Sequence, residues 1–500
     1  WTISRQLWWG HRIPVWYCRA EGCGEMIVAR EDPESCPKCG SDVEQDPDVL
    51  DTWFSSWLFP FSTLGWPDET PDLQAFYPTT TLVTAPEILF FWVARMIMAG
   101  QEFMGRDRTG DPMDGVPFRD VYLHGTVRDH LGRKMSKSLG NGIDPLEVVD
   151  RFGADALRFT LLAQAGVGTD ILMNPTDLEE TFSPGRNFAN KLWNAGRFAL
   201  MNMGDGEVPA VNDVELELTD RWILSRAQRV TAEVDQQLSA FRFAEVAETL
   251  RQFFWGEIAD WYLELAKPRL YGDAGDASRD AARATLVEVM DTTLRLLHPL
   301  VPFITEELWL RLPKPRDVVR EDSLVIARWP AADAARIDAD AEQTVDALIE
   351  FVSAVRTLRA EYNVPPSQEL GVMVGRAGGA LAGAVAREDA AIRRLARVAT
   401  PSVSAQPLET HGRAGAHAVL RSGADVFIPL EGIIDIERER ARLGEELNRI
   451  EGQITATERK LENRQFVDRA PADVVNRERD KATNFRDQRD RLAAKLAALA

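Results

Sequence analysis

The hydrophobic period of this chain changes along its length, and that change constrains the fold more than any other feature. From Tyr122 to Leu162 the pattern alternates strand, loop and helix, with Asp155 to Leu162 reading as a helix. Beyond Asn187 apolar residues recur at helical spacing, through Trp222-Ile223-Leu224, Phe241 to Phe254, Trp261-Tyr262-Leu263 and Val287 to Leu297. Gly204-Asp205-Gly206 and Gly272-Asp273-Ala274-Gly275 mark loops between them. The tail switches again. Leu443, Leu447, Ile450, Ile454, Thr457 and Leu461 keep a four-three spacing, and after Ala470-Pro471 a second series runs through Val475, Ala482, Phe485, Leu492, Leu496 and Leu499. That pattern predicts an antiparallel coiled-coil hairpin with arms of about 45 Å.

Residues 336 to 432 carry an Ala/Gly-rich stretch, Gly378 to Ala384, and a β-like run, Asp425 to Leu430, which suggest a small α/β domain without a legible function. A chain of 500 residues, 45% hydrophobic and 27% charged, exceeds one core and calls for about three or four domains. The fold class is therefore multidomain, α/β followed by all-α.

The net charge is −20, which gives no bulk attraction for nucleic acid. Residues 431 to 500 hold 15 Lys and Arg against 15 Asp and Glu, so the whole excess, −20 − 0 = −20, falls on the first 430 residues. No run of eighteen apolar residues and no signal-like start occur, so the expectation is a soluble, cytoplasmic protein without a membrane partner. Phe90 to Ala94 with Met96 to Met98, interrupted by Arg95, predicts a buried core helix.

All four cysteines precede residue 40, which argues against a disulfide framework. Cys18-x4-Cys23 and Cys36-Pro37-Lys38-Cys39 form two knuckle-like pairs, and Gly22, Gly24 and Gly40 permit the tight turns that aim sulfur at one point. Four thiolates fill a tetrahedral Zn2+ shell, so the metal would be structural, held in a ribbon over about 16–45.

Lys134-Met135-Ser136-Lys137-Ser138, flanked by Gly132-Arg133 and Leu139-Gly140-Asn141, puts two lysines and two hydroxyls on a glycine-hinged loop. Nucleotidyl transfer needs positive charge where departing pyrophosphate gains negative charge, and such a loop can bring it in. Tyr122 to Gly125 reads as a strand before it, and Ile143 to Val149 as a helix start after it.

Lys134 to Ser138 resembles the KMSKS signature of class I aminoacyl-tRNA synthetases. Ile3 to Pro14, with Ser4-Arg5-Gln6-Leu7-Trp8-Trp9-Gly10-His11, resembles the valyl form of its segment. Asp51 to Ser56, Phe90 to Met96, Arg186 to Asn194, Leu297-His298-Pro299 and Pro302 to Trp309 agree in the family's order. The resemblance implies ATP-dependent activation of valine and its transfer to tRNA(Val), with ATP and Mg2+. An isoleucyl- or leucyl-type synthetase, or a non-catalytic tRNA-binding module, is the alternative; the isoleucyl enzymes lack the terminal hairpin.

By this resemblance 1–165 would be the second half of a Rossmann-like catalytic domain with the zinc ribbon and the 132–140 loop. Residues 166–335 would be a helical-bundle anticodon-binding domain, 336–432 a junction domain, and 433–500 a coiled-coil tRNA-binding arm. Lys134 and Lys137 would be catalytic. Ser136, Ser138, His124 and Gly125 would join them in binding ATP, and Trp53, Ile88 and Trp92 would line the valine pocket, the last two one helical turn apart. Cys18, Cys23, Cys36 and Cys39 would hold zinc, and the enzyme would be a monomer. The family's early His-x-Gly-His is absent and the chain opens on Trp1, so the expectation is a portion lacking the first catalytic half and the editing domain, poorly active alone. Thr84-Ala85-Pro86-Glu87 replaces a Gly-Phe-Asp-like run, Thr126 an aliphatic and Gly142 a β-branched residue.

Overall fold

The computed structural model describes residues 1–105, 113, 115–204, 207–313, 315, 321–409, 413–463 and 472–499, with side chains from 474 in the last stretch. Asp205-Gly206 and the Ala470-Pro471 break lie outside the described residues. The chain divides into two compact units, 1–187 with 235–248, and 188–234 with 249–500.

In the first unit a three-stranded antiparallel ribbon, Met26–Val28, Val15–Cys18 and Val43–Gln45, carries Cys18 at the end of its middle strand and the other three cysteines outside its strands. Two parallel strands, Thr79–Thr84 and Phe118–Leu123, pair side by side, and a second parallel pair joins Val127–Asp129 to Ile171–Met173. The strand before the lysine loop stops at Leu123, two residues short of the pattern. Pro145–Phe152 and Ala154–Gln164 are helices, the first started by Asp144, whose carboxylate accepts from the Leu146 amide at 2.9 Å. Val148, Phe152, Ala156, Ile171, Met173 and Phe182 form their shared core.

The Phe90 segment differs from expectation. Pro86–Ile88 is a 3-10 turn and Leu89–Val93 a π turn before the α-helix Ala94–Met104 begins. A π turn inserts a residue, which rotates the downstream helix by roughly 100°. Ile88 and Trp92 therefore do not share an α-helical face. Nor is the segment uniformly buried: Val93, Arg95 and Met96 face inward, whereas Phe90 is 67% exposed.

The second unit is helical in its first part, as the spacing predicts, with Leu218–Ser239, Asp276–Leu297 and Pro302–Arg311 among its helices and an 11-residue π stretch, Gln252–Tyr262. Phe241, in the 235–248 stretch that belongs to the first unit, is no part of a helix; it turns the chain at φ 57°. A buried ion pair ties the bundle together. Arg269 grips Asp220 with Nη1 at 2.9 Å and Nη2 at 2.6 Å, and the Tyr262 hydroxyl donates to the same carboxylate at 2.9 Å. Satisfying a buried carboxylate with three donors is what keeps its burial tolerable.

Residues 339–430 form a four-stranded sheet, in the order Ser402–Val403, Met373–Gly375, Asp425–Pro429, Gly415–Val419, with the helices Ala339–Glu361, Gly379–Arg387 and Asp389–Ala396 packed on it. Its first strand pair is parallel and the rest antiparallel. Ile436–Glu462 and Ala472–Ala498 then run as two 27-residue helices, about 40 Å each. Arg486 pairs with Glu458, and Lys460 with Glu478 at 3.1 Å, so the two run antiparallel. Every described four-three residue is buried or half-buried. Leu443 and Leu499, at the joined ends, lie in the same core as the sheet.

Candidate functional site

The lysine loop is organised from beneath by two residues that sequence reasoning passed over. Asp129, fully buried at the end of its strand, accepts from the Leu131 amide at 3.0 Å, the Arg133 amide at 2.9 Å, Arg133 Nε at 2.8 Å and Asn141 Nδ2 at 2.9 Å. Those donors, Asn141 first and then Arg133, hold its carboxyl well below the usual carboxylate range. Asn141, 5% exposed, turns its oxygen to the Ser136 amide at 2.9 Å. Asp129 and Asn141 thus clasp both ends of the loop. The signal was available in the sequence as Asp129 and Asn141 flanking the lysines, but only folding shows that they meet.

Above this clasp the two lysines stay exposed. Ser136 accepts from the Leu139 amide at 3.3 Å and lies 3.1 Å from the Ser138 hydroxyl, starting the short 3-10 turn Lys137–Leu139. Gly140 ends that turn at φ 60°, a left-handed geometry that glycine takes without strain. Lys137 is exposed and has no acidic partner among the described residues. Lys134, also exposed, reaches Glu87 Oε1 at 3.4 Å. Thr126 donates to the same oxygen at 3.2 Å. Glu87 and Thr126, 39 residues apart in the chain, thus meet in space. The Glu87 carboxyl is held below its ordinary value, first by its own backbone amide and then by Lys134.

Gly125 is explained by packing. A Cβ there would sit 1.8 Å from the Thr169 carbonyl oxygen, so only glycine allows the approach. His124 is exposed, its Nδ1 3.0 Å from the Gly125 carbonyl and its amide bonded to Thr84 O at 3.1 Å. It is not a core histidine.

The residues expected to form the amino-acid slot are half-buried and separately engaged. Trp53 pairs its ring with Phe91 at 6.1 Å, while Trp92 lies 5.8 Å from Phe59 and donates to Ser56 O at 3.1 Å. Ile88 closes the 3-10 turn beside Glu87.

Cys18, Cys23, Cys36 and Cys39 come together, with all four Sγ atoms within 4.8 Å of one another. The Cys18–Cys39 and Cys23–Cys36 separations are 3.4 and 3.8 Å. Tetrahedral zinc with bonds of about 2.3 Å sets sulfur atoms about 3.8 Å apart, so the donor set fits that ion. Gly22, Gly24 and Gly40 all have positive φ, as such knuckles require. The Cys39 thiol is pulled down to about 6, chiefly by hydrogen bonds from Ser41 and then by its neighbouring thiols.

Comparison with known proteins finds matches along most of the chain. Residues 1–174 match the family of class I tRNA synthetases (I, L, M and V), 220–374 the anticodon-binding domain of tRNA ligase, and 435–500 the valyl tRNA synthetase tRNA binding arm. The valine–tRNA ligase of Dehalococcoides mccartyi (strain CBDB1) is 46% identical over 494 residues, covering 98% of this chain. The chain belongs to the valyl-tRNA synthetase family. That of Thermotoga maritima is 45% identical over 100% of the chain. The chain spans about half the length of these relatives, 54% of each. Among solved structures, the ternary LeuRS-tRNA-LeuAMS complex of Agrobacterium radiobacter K84 shares the fold with a TM-score of 0.51 at 22% identity, over 68% of this chain and 43% of that one. No described helix is long and apolar enough to cross a membrane.

Proposed function

We propose that this chain supplies the phosphate-gripping and tRNA-binding parts of a valine–tRNA ligase. The carboxylate of valine attacks the α-phosphate of ATP, giving valyl-adenylate and pyrophosphate, and a terminal ribose hydroxyl of tRNA(Val) then takes the acyl group. Neither step needs a protein nucleophile, so positioning and charge do the catalysis. Lys134 and Lys137 are the residues for that charge, with Ser136 and Ser138 shaping the loop and His124-Gly125 beside the nucleotide. The Lys134–Glu87 pair is exposed and easily exchanged for a phosphate oxygen. Mg2+ would accompany ATP and neutralise its phosphates.

Trp53, Ile88 and Trp92 would wall the valine slot. The four cysteines would hold a structural Zn2+ in the ribbon, and the antiparallel helices 436–462 and 472–498 would serve as a coiled-coil arm on tRNA. In this reading 1–165 is catalytic, 166–335 reads the anticodon, 336–432 is a junction, and the enzyme works as a cytoplasmic monomer. The observation that carries the reading is the clasped loop presenting two lysines to solvent. ATP–pyrophosphate exchange with valine on the full-length gene product tests it. Lys134→Ala or Lys137→Ala is expected to lower kcat by about 10²-fold, as for other preorganised charges. Wild-type exchange in the double variant, or exchange with isoleucine and none with valine, would sink it.

A further inference from the structure

The stretch 356–397 runs from the end of the anticodon-binding match into the region 375–434 that neither it nor the arm family matches, and there arginines outnumber acids in an otherwise acidic chain. Residues 356–397 hold seven arginines and four acids, 7 − 4 = +3, in a chain of −20. Arg393 and Arg394 stand on the helix Asp389–Ala396, and Arg397 follows it in the left-handed region at φ 55°. With Ser367, Glu369 and Ala390 they line a depression of about 560 Å³. All three arginines are exposed.

Their acidic partners are few and distant. Arg393 comes no nearer than 3.9 Å to Asp389, and Arg394 lies 4.0 Å from the Glu264 carboxylate while one of its nitrogens donates to the Glu264 carbonyl. The Arg397 side chain has no acceptor among the described residues, although its backbone oxygen accepts from Arg359 at 3.0 Å. Arg356 is drawn in alongside, its Nε on Leu395 O at 3.0 Å and its guanidinium over Trp261. Burial and then Arg397 lower the proton affinity of Arg359. Burial also lowers that of Arg394, with Glu264 opposing and Arg356 adding to it. Crowded like charges work against the compact state. A solvated face would intersperse acids, whereas only Glu369 lines the depression.

We propose that Arg393, Arg394 and Arg397, backed by Arg356, form a contact surface for the phosphodiester backbone of RNA. Guanidinium forks match phosphate oxygens in pairs, and exposed arginines whose ion pairs are as long as 3.9 and 4.0 Å, or that have none, can turn to meet them. The surface gives the junction region a task beside the two segments that flank it, and it rests on the tRNA-ligase reading above.

The test is fluorescence anisotropy of a labelled tRNA(Val) transcript titrated with the full chain from 50 to 300 mM salt. Two phosphate contacts contribute about 1.5 to the salt slope, so Arg393→Gln with Arg397→Gln should flatten the slope by that amount and weaken binding about thirtyfold at 0.1 M salt. The corresponding lysine pair should keep most of the slope, and circular dichroism checks that both variants fold. If the wild type binds and the glutamine pair binds with an unchanged slope, this surface is wrong and the function reading stands. If the wild-type chain binds no tRNA at any of these salts, both fall.

Discussion

Asn141→Ala should loosen the lysine loop while leaving the rest of the first unit intact. The two short bonds of this side chain are a neutral one, accepting from the Ser136 amide at 2.9 Å, and a charge-assisted one, donating to Asp129 at 2.9 Å. A neutral bond is worth about 1 kcal/mol net and one to a charged group about 2, so truncating Asn141 should make local opening easier by about 3 kcal/mol. At 1.4 kcal/mol per decade that is about a hundredfold. The direct assay is amide hydrogen exchange at Ser136, whose N–H the Asn141 oxygen covers, with the core helix Ala154–Gln164 as internal reference. The Ser136 rate should rise about a hundredfold and the reference stay constant. Asn141→Asp should do at least as much, because it sets a second carboxylate against Asp129. Unchanged Ser136 exchange in both variants would refute the clasp, and with it the argument that the lysines are held from below.

Two further predictions concern other parts of the chain. Protein from zinc-supplied growth should carry one zinc per chain by elemental analysis, and Cys36→Ser should lose it, since the four Sγ atoms lie within 4.8 Å; a wild type without metal would remove the ribbon site. Glu388, pushed up to about 7 by burial and then by Glu217, is protonated in the folded chain where the unfolded chain is ionised. Its folded pKa is raised, so its contribution is present below about 4.5 and is lost as pH rises through 7, and Glu388→Gln should add up to roughly 3 kcal/mol of stability at pH 8 and little at pH 4. Equal denaturation midpoints at pH 8 would discard it.

What could be read from the sequence was what is local. The heptad series, the cysteine pairs and the lysine run each declare themselves within a few residues, and each recurs in the fold as a buried seam, a thiol cluster and an exposed loop. What escaped depends on residues distant in sequence. Asp129 reads as an ordinary acid until Asn141 folds back over it. Glu87 shows no tie to Lys134 from the sequence, because 47 residues separate them. The turn at Leu89–Val93 escaped for another reason: a π turn keeps an apolar composition indistinguishable from an α-helix while changing which side chains align. Gly125 reads in sequence as room for a ligand, yet the nearest atom it makes room for is the Thr169 carbonyl oxygen.

The roots of the terminal hairpin, Leu443 and Leu499, are sealed into the core of the preceding sheet. A lever of about 40 Å converts a tilt of about 5° at its base into a tip displacement of about 3.5 Å, comparable to the width of a hydrogen-bonded contact. Small repacking around those two leucines, by a single methylene gained or lost, would therefore be felt most at the far end, where nothing was changed.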